Sequence, residues 1–68
     1  MIITDKQIDA LRPYMPNIND FVHADDLYEF ELALDELIVK VGFGKDDELN
    51  ETGLLLQRLY DEIYLQND

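Results

Sequence analysis

Residues 25–41, DDLYEFELALDELIVKV, decide the fold. Leu27, Phe30, Leu34, Leu37, Ile38 and Val41 recur at intervals of three and four, which lines them up along one side of an α-helix and on no face of a strand. The spacing therefore predicts a central core helix from Asp25 to Val41. Its charges agree with its direction: Asp25 and Asp26 suit the positive N-terminal end, while Lys40 suits the negative C-terminal end and lies four residues after Glu36. Gly42 follows directly and is expected to end the helix in a left-handed conformation, with Phe43 folding back on Ile38.

Downstream, Gly42 to Gly53 reads GFGKDDELNETG, a polar connector before a second strong helix. Asn50 is the best start, because its side chain can cap and Leu49 and Leu54 flank it at the spacing of a hydrophobic staple. Leu56, Leu59, Tyr60, Ile63 and Tyr64 form the predicted buried side. Gly53 then falls in the first turn, where it costs about 1 kcal/mol relative to alanine unless close packing requires it. A start at Asp46 would instead place Gly53 in mid-helix.

Upstream, Ile3-Thr4-Asp5-Lys6-Gln7-Ile8 carries a complete helix start. Thr4 can cap, Gln7 can reach back to it, and Ile3 can pack on Ile8. This helix begins at Asp5, buries Ile8 and Leu11, and is cut short or kinked because Pro13 restricts Arg12. Pro16 and Asn17 mark a turn, after which Asn17 can cap one further turn through Phe21 and Val22. The expected architecture is all-α: a small three-helix bundle with a possible extra short helical turn, built around an antiparallel pair of segments 25–41 and 50–65. Residues 1–68 form a single helical domain, with no internal repeat or linker.

One stripe does not account for all the apolar residues of the central helix. At 100° per residue, Tyr28, Leu32 and Val39 form a second, narrower strip flanked by Glu31 and Asp35. Two readings are open. The strip can face the N-terminal helix inside the bundle, or it can be a contact surface for a basic partner or a second copy of the chain. In the second reading Tyr28, Glu31, Leu32, Asp35 and Val39 are the partner-binding residues.

Composition narrows the function. Sixteen acidic residues against five basic give a formal charge of −11, which opposes direct binding to nucleic-acid phosphates and to anionic membranes. No apolar run approaches the ~20 residues of a membrane span, and a cytoplasmic location is expected. With no cysteine and a single histidine, His23, neither a disulfide nor a thiolate metal site is available. His23 is expected near a helix entrance. Serine is also absent, so no hydroxyl or thiol nucleophile can be paired with His23 except Thr4 or Thr52, which helix starts already explain.

The connector fails as a ligand loop on two counts. Its Gly44-Lys45 pair has Val39 where a phosphate loop needs its first glycine, and Asp46 where it needs a hydroxyl. In a calcium-loop register, with Gly53 sixth, the twelfth position falls on Leu59 instead of a glutamate. A non-specific cation site at Asp46, Asp47 and Glu48 is all that survives. No cofactor and no enzymatic activity are expected.

The ending LLLQRLYDEIYLQND, above all Leu59-Tyr60-Asp61-Glu62-Ile63-Tyr64, resembles short, acidic, uncharacterised helical proteins of bacterial phages and mobile elements. The likeness covers the last third of the chain and implies a helical fold without assigning an activity or a functional residue. The small, acidic, helical character is also similar in a general way to immunity proteins that neutralise basic nuclease toxins. The expected function is a non-enzymatic protein-interaction module, of inhibitor or immunity type, that binds a basic partner. A homodimeric structural or regulatory protein and a nucleic-acid mimic are the alternatives.

The charge alone generates a first test. Self-repulsion among carboxylates should lower stability, so the melting temperature should rise by several degrees between about 10 mM and about 150 mM salt. An unchanged melting temperature would show that the acidic excess is not a destabilising term.

Overall fold

A computed structural model describes residues 1–45 and 48–68. Four helices follow one another: α1 (Asp5–Leu11), α2 (Ile18–Ala24), α3 (Leu27–Val41) and α4 (Glu51–Gln66). The all-α bundle matches expectation, and the extra turn after Asn17 is a helix of two turns. Thr4 caps α1 as its sequence predicts, with Thr4 Oγ1 accepting from the Gln7 N–H at 3.1 Å and Gln7 Oε1 accepting from the Thr4 N–H at 3.0 Å. Asn17 precedes α2, but its side chain makes no capping bond.

The junction between α2 and α3 corrects the expected start of the central helix. Asp25 is not its first residue; it ends α2 in the left-handed conformation, φ 52° and ψ 36°, with its N–H bonded to the Phe21 and Val22 carbonyls. Aspartate tolerates this region better than most residues with a side chain. Asp26 then caps α3, accepting from the Glu29 N–H at 3.2 Å.

One apolar cluster holds the four helices together. Phe30, Leu34 and Ile38 enter it from α3, Leu56, Leu59 and Ile63 from α4, and Leu11, Met15 and Ile18 from the N-terminal segment. Phe21 of α2 meets Phe30 edge to face, with ring centroids 6.1 Å apart. Two residues assigned to the core by periodicity lie elsewhere: Val41 and Tyr64 are exposed. Each sits at the rim of its stripe, where one neighbouring helix does not reach.

Gln7 is the buried polar residue of the cluster, and it joins α1 to the far end of α4. Its amide donates to Gln66 Oε1 at 2.8 Å, and the Gln66 amide returns a bond to Gln7 Oε1 at 3.0 Å. The reciprocal pair satisfies both side chains where an unpartnered amide would be costly. The amino group of Met1 pairs with Asp25, which draws the N-terminus to the α2–α3 junction.

The connector between α3 and α4 is tied off by backbone pairing. Phe43 and Leu49 form an antiparallel bridge, and the Gly44 N–H donates to the Glu48 carbonyl at 2.8 Å. Phe43 is therefore a bridge residue and is half-exposed, with no place in the core beside Ile38. Gly42 also departs from expectation: its φ of −90° is right-handed. What requires glycine there is lack of room on two sides: a Cβ would stand 2.5 Å from the Ile38 carbonyl oxygen of its own helix, and α4 approaches from the other side. A Cβ on Gly42 would lie 2.9 Å from Gly53 Cα, and a Cβ on Gly53 would overlap the Gly42 carbonyl and stand 2.8 Å from Leu49 Cδ2.

Asn50 begins the descent of α4 as its sequence predicts. It accepts from the Gly53 N–H at 2.7 Å and donates to the Val41 carbonyl at 3.1 Å. Helix propensity would make Gly53→Ala stabilising by about 1 kcal/mol, whereas the contact with Gly42 makes it destabilising by about 1–3 kcal/mol. Urea denaturation decides between them, and a raised midpoint would refute the close approach.

Candidate interaction surface

Positions 28, 31, 32, 35 and 39 of α3 fall within an arc of roughly 100° and rise over about 16 Å of the helix. The two N-terminal helices do not cover them. Tyr28 is 68% exposed, Leu32 43% and Val39 65%, so the strip lies on the outside of the bundle. This overturns the reading in which it faces the N-terminal helix. The reason is length: α1 and α2 have seven residues each, and they pack on the flank that carries Phe30.

Four of the five residues are brought together. Tyr28, Glu31, Leu32 and Asp35 line an open groove of about 200 Å³, and Tyr60 of α4 closes its other side. Val39 lies farther along the same face and does not line it. Tyr60 is the residue that sequence reasoning missed, because its periodicity assigned it to the core. It is half-buried against that core while also walling the groove. The available signal was its chemistry: a tyrosine at the margin of a leucine and isoleucine stripe has a polar end that needs water or a partner.

Among the described residues no cation pairs with the carboxylates of the groove. Among the described residues, the ion pairs are Met1 with Asp25 and Arg12 with Asp9, the latter at 2.9 Å, and neither involves Glu31 or Asp35. Glu31 Oε1 is closed off from solvent and has no hydrogen-bond partner. An oxygen left in that state loses hydration without recovering a bond. Partial burial, and then the negative charges of Glu31 and Asp35, hold the Tyr60 hydroxyl above its ordinary pKa. The groove is thus an electronegative slot with aromatic and aliphatic walls.

Other candidates are less organised. His23 is exposed and sits in the last turn of α2, at its exit and not at an entrance. Asp46 and Asp47 of the proposed cation loop lie outside the described residues. Among the described residues no three of His, Asp or Glu converge as metal ligands, and no helix is long and apolar enough to cross a membrane. Comparison with protein-family models, curated proteins and solved structures finds no match.

The raised Tyr60 value has a signed consequence. A tyrosine held neutral in the folded state adds stability below its unfolded pKa of about 10, and that contribution disappears as pH rises through the higher folded value. Unfolding free energy should therefore decline above about pH 10, and less steeply in Tyr60→Phe. Absorbance titration should show the Tyr60 step moving back toward the ordinary value in Glu31→Gln and in Asp35→Asn. A step that ignores both substitutions would refute the electrostatic contact.

Proposed function

We propose that this chain is a non-enzymatic, cytoplasmic interaction module that binds a basic protein through the outer face of α3, as an inhibitor or immunity-type protein does. The observation that carries the reading is the exposed strip itself. Tyr28, Leu32 and Val39 are left in water beside two carboxylates that have no counter-ion among the described residues. Apolar groups ringed by unpaired charge suit an interface whose centre is dehydrated and whose rim selects the sign of the partner. The net charge of −11 supplies attraction at longer range and faster encounter with a cationic surface.

The alternatives fit this face less well. A two-fold homodimer seam centred here would set the Glu31 and Asp35 of one copy against those of the other, a like-charge arrangement that opposes pairing. A nucleic-acid mimic would need carboxylate spacing alone and gives Tyr28 and Leu32 no task. Both readings make outcomes that the same experiment separates.

The test combines affinity capture from the source cell with melting and molar-mass measurements on three variants. Tyr28→Ala and Asp35→Lys should retain helicity and lose less than about 1 kcal/mol of stability, since both positions are exposed. Each should lose the captured basic protein, while Glu36→Lys, away from the groove, should keep it. Capture that survives both α3-face variants would overturn the reading, and a wild-type dimer that Tyr28→Ala dissociates would replace it with the seam.

A further inference from the structure

We propose that the groove between Tyr28 and Tyr60 receives one arginine side chain of the partner, with the guanidinium between the tyrosine rings and the carboxylates of Glu31 and Asp35. This rests on the reading of α3 as a face for a basic protein and specifies what anchors it. Size is the first argument. A volume of about 200 Å³ holds roughly six or seven waters and falls below the ~300–1,000 Å³ of typical small-molecule sites. It suits a single long side chain and is too small for a cofactor or a helix.

Charge complementarity is the second argument. Glu31 and Asp35 are one helical turn apart on the same face, about 6 Å between their Cβ atoms, and among the described residues neither is paired with a cation. A guanidinium presents five donors in a plane, enough to bond one carboxylate with its fork and still reach the other. It also offers donors to the Glu31 carboxylate, which lines the groove with Asp35. A lysine ammonium has three donors about one point and holds its water more tightly.

The walls give the third argument. Tyr28 and Tyr60 supply aromatic faces, which attract a cation and stack with the flat guanidinium in particular. Leu32 supplies apolar surface for the methylene stem, the part of an arginine that gains from leaving water. A metal ion would use the carboxylates but not these walls, and among the described residues no third ligand joins Glu31 and Asp35. The combination of two rings, one aliphatic side chain and two unpaired carboxylates matches a side chain that is apolar along its stem and cationic at its end.

The test titrates the isotope-labelled chain with a blocked alanine-flanked peptide carrying one arginine, and with its lysine and citrulline counterparts, following backbone amide shifts. The arginine peptide should give saturable shifts centred on Tyr28, Leu32, Asp35 and Tyr60. Lysine should bind about fivefold more weakly, because it loses the stacking and the fork, and citrulline, which is neutral, should not saturate. Glu31→Gln and Asp35→Asn should each weaken the arginine peptide about tenfold, as expected for losing a charged acceptor. Tyr28→Ala should reduce the preference over lysine, and Glu29→Gln, outside the groove, should change nothing. Shifts scattered over acidic residues throughout the chain, or equal affinity for arginine and lysine, would overturn the proposal. Its failure is separable from that of the parent reading. If the peptide leaves the groove unmoved while Asp35→Lys still abolishes partner capture, the arginine pocket falls and the interaction face stands. If the peptide binds as described while capture ignores Asp35→Lys, the face falls and with it the assignment of the groove to the partner, leaving a guanidinium-binding groove alone.

Discussion

The contact between Gly42 and Gly53 is the constraint on which the rest of the structure depends. At this point the end of α3 and the start of α4 come together with backbone against backbone, and no side chain larger than hydrogen leaves room for it. Three hydrogen bonds hold the approach. The Asn50 N–H donates to the Gly42 carbonyl at 2.8 Å, while the Asn50 side chain bonds both the Gly53 N–H and the Val41 carbonyl. A fixed crossing point fixes the register of an antiparallel pair. Counting seven residues forward from Gly53 reaches Tyr60, and counting seven back from Gly42 reaches Asp35, so these two arrive at the same level along their helices. The groove is a consequence of that register: a helix pair slipped by one turn would set a different α4 residue beside Asp35.

The N-terminal third decides which side of the pair is covered. Pro13 and Pro16 break it into two helices of seven residues, each about 10 Å long. Such short segments can shield one flank of the pair. They share one apolar cluster with Leu34, Ile38, Leu56 and Ile63 and are fastened by the Gln7–Gln66 exchange and by Phe21 against Phe30. The flank that carries Tyr28 stays uncovered, with Tyr28, Leu32 and Val39 exposed along an α3 of 15 residues that outruns the seven of either short helix.

Much of this was legible because capping and periodicity are local. Thr4 with Gln7, and Asn50 with Gly53, announce helix starts from side-chain chemistry within four residues, and the α3 stripe announces its own core through Phe30, Leu34 and Ile38. What was not legible required a partner distant in sequence. Gly42 reads as a left-handed cap in isolation, whereas its φ is negative and the absent Cβ is what matters, with the Ile38 carbonyl on one side and Gly53 on the other. Asp25 and Asp26 are two equally good caps on paper; the choice between them was made by α2, which uses Asp25 to turn. Tyr60 obeys the core period while serving the groove, because a residue at the edge of a stripe has the same spacing whichever way its ring leans. The Tyr28 strip was visible as a pattern, but whether water or protein faced it depended on where two short helices would lie.

The outer face of α3 is where the chain's local and global signals disagree. Elsewhere most caps and the buried stripes support the same fold, although Leu54 and Leu65 of α4 are exposed as well. At this face the bundle leaves an aromatic and two aliphatic side chains in water and leaves a carboxylate oxygen without a donor. A domain this small buries only about 60% of its unfolded surface and has little stability in reserve. Substituting polar residues for Tyr28 and Val39, or a hydroxyl for Glu31, would remove the conflict without disturbing Leu34 or Ile38, since the two sets point from different sides of the helix. The conflict is therefore not forced by the fold. Departures from local consistency tend to concentrate at working surfaces, and what sets this face apart from the exposed Leu54 and Leu65 of α4 is that its apolar groups Tyr28 and Leu32 line a groove together with Glu31 and Asp35.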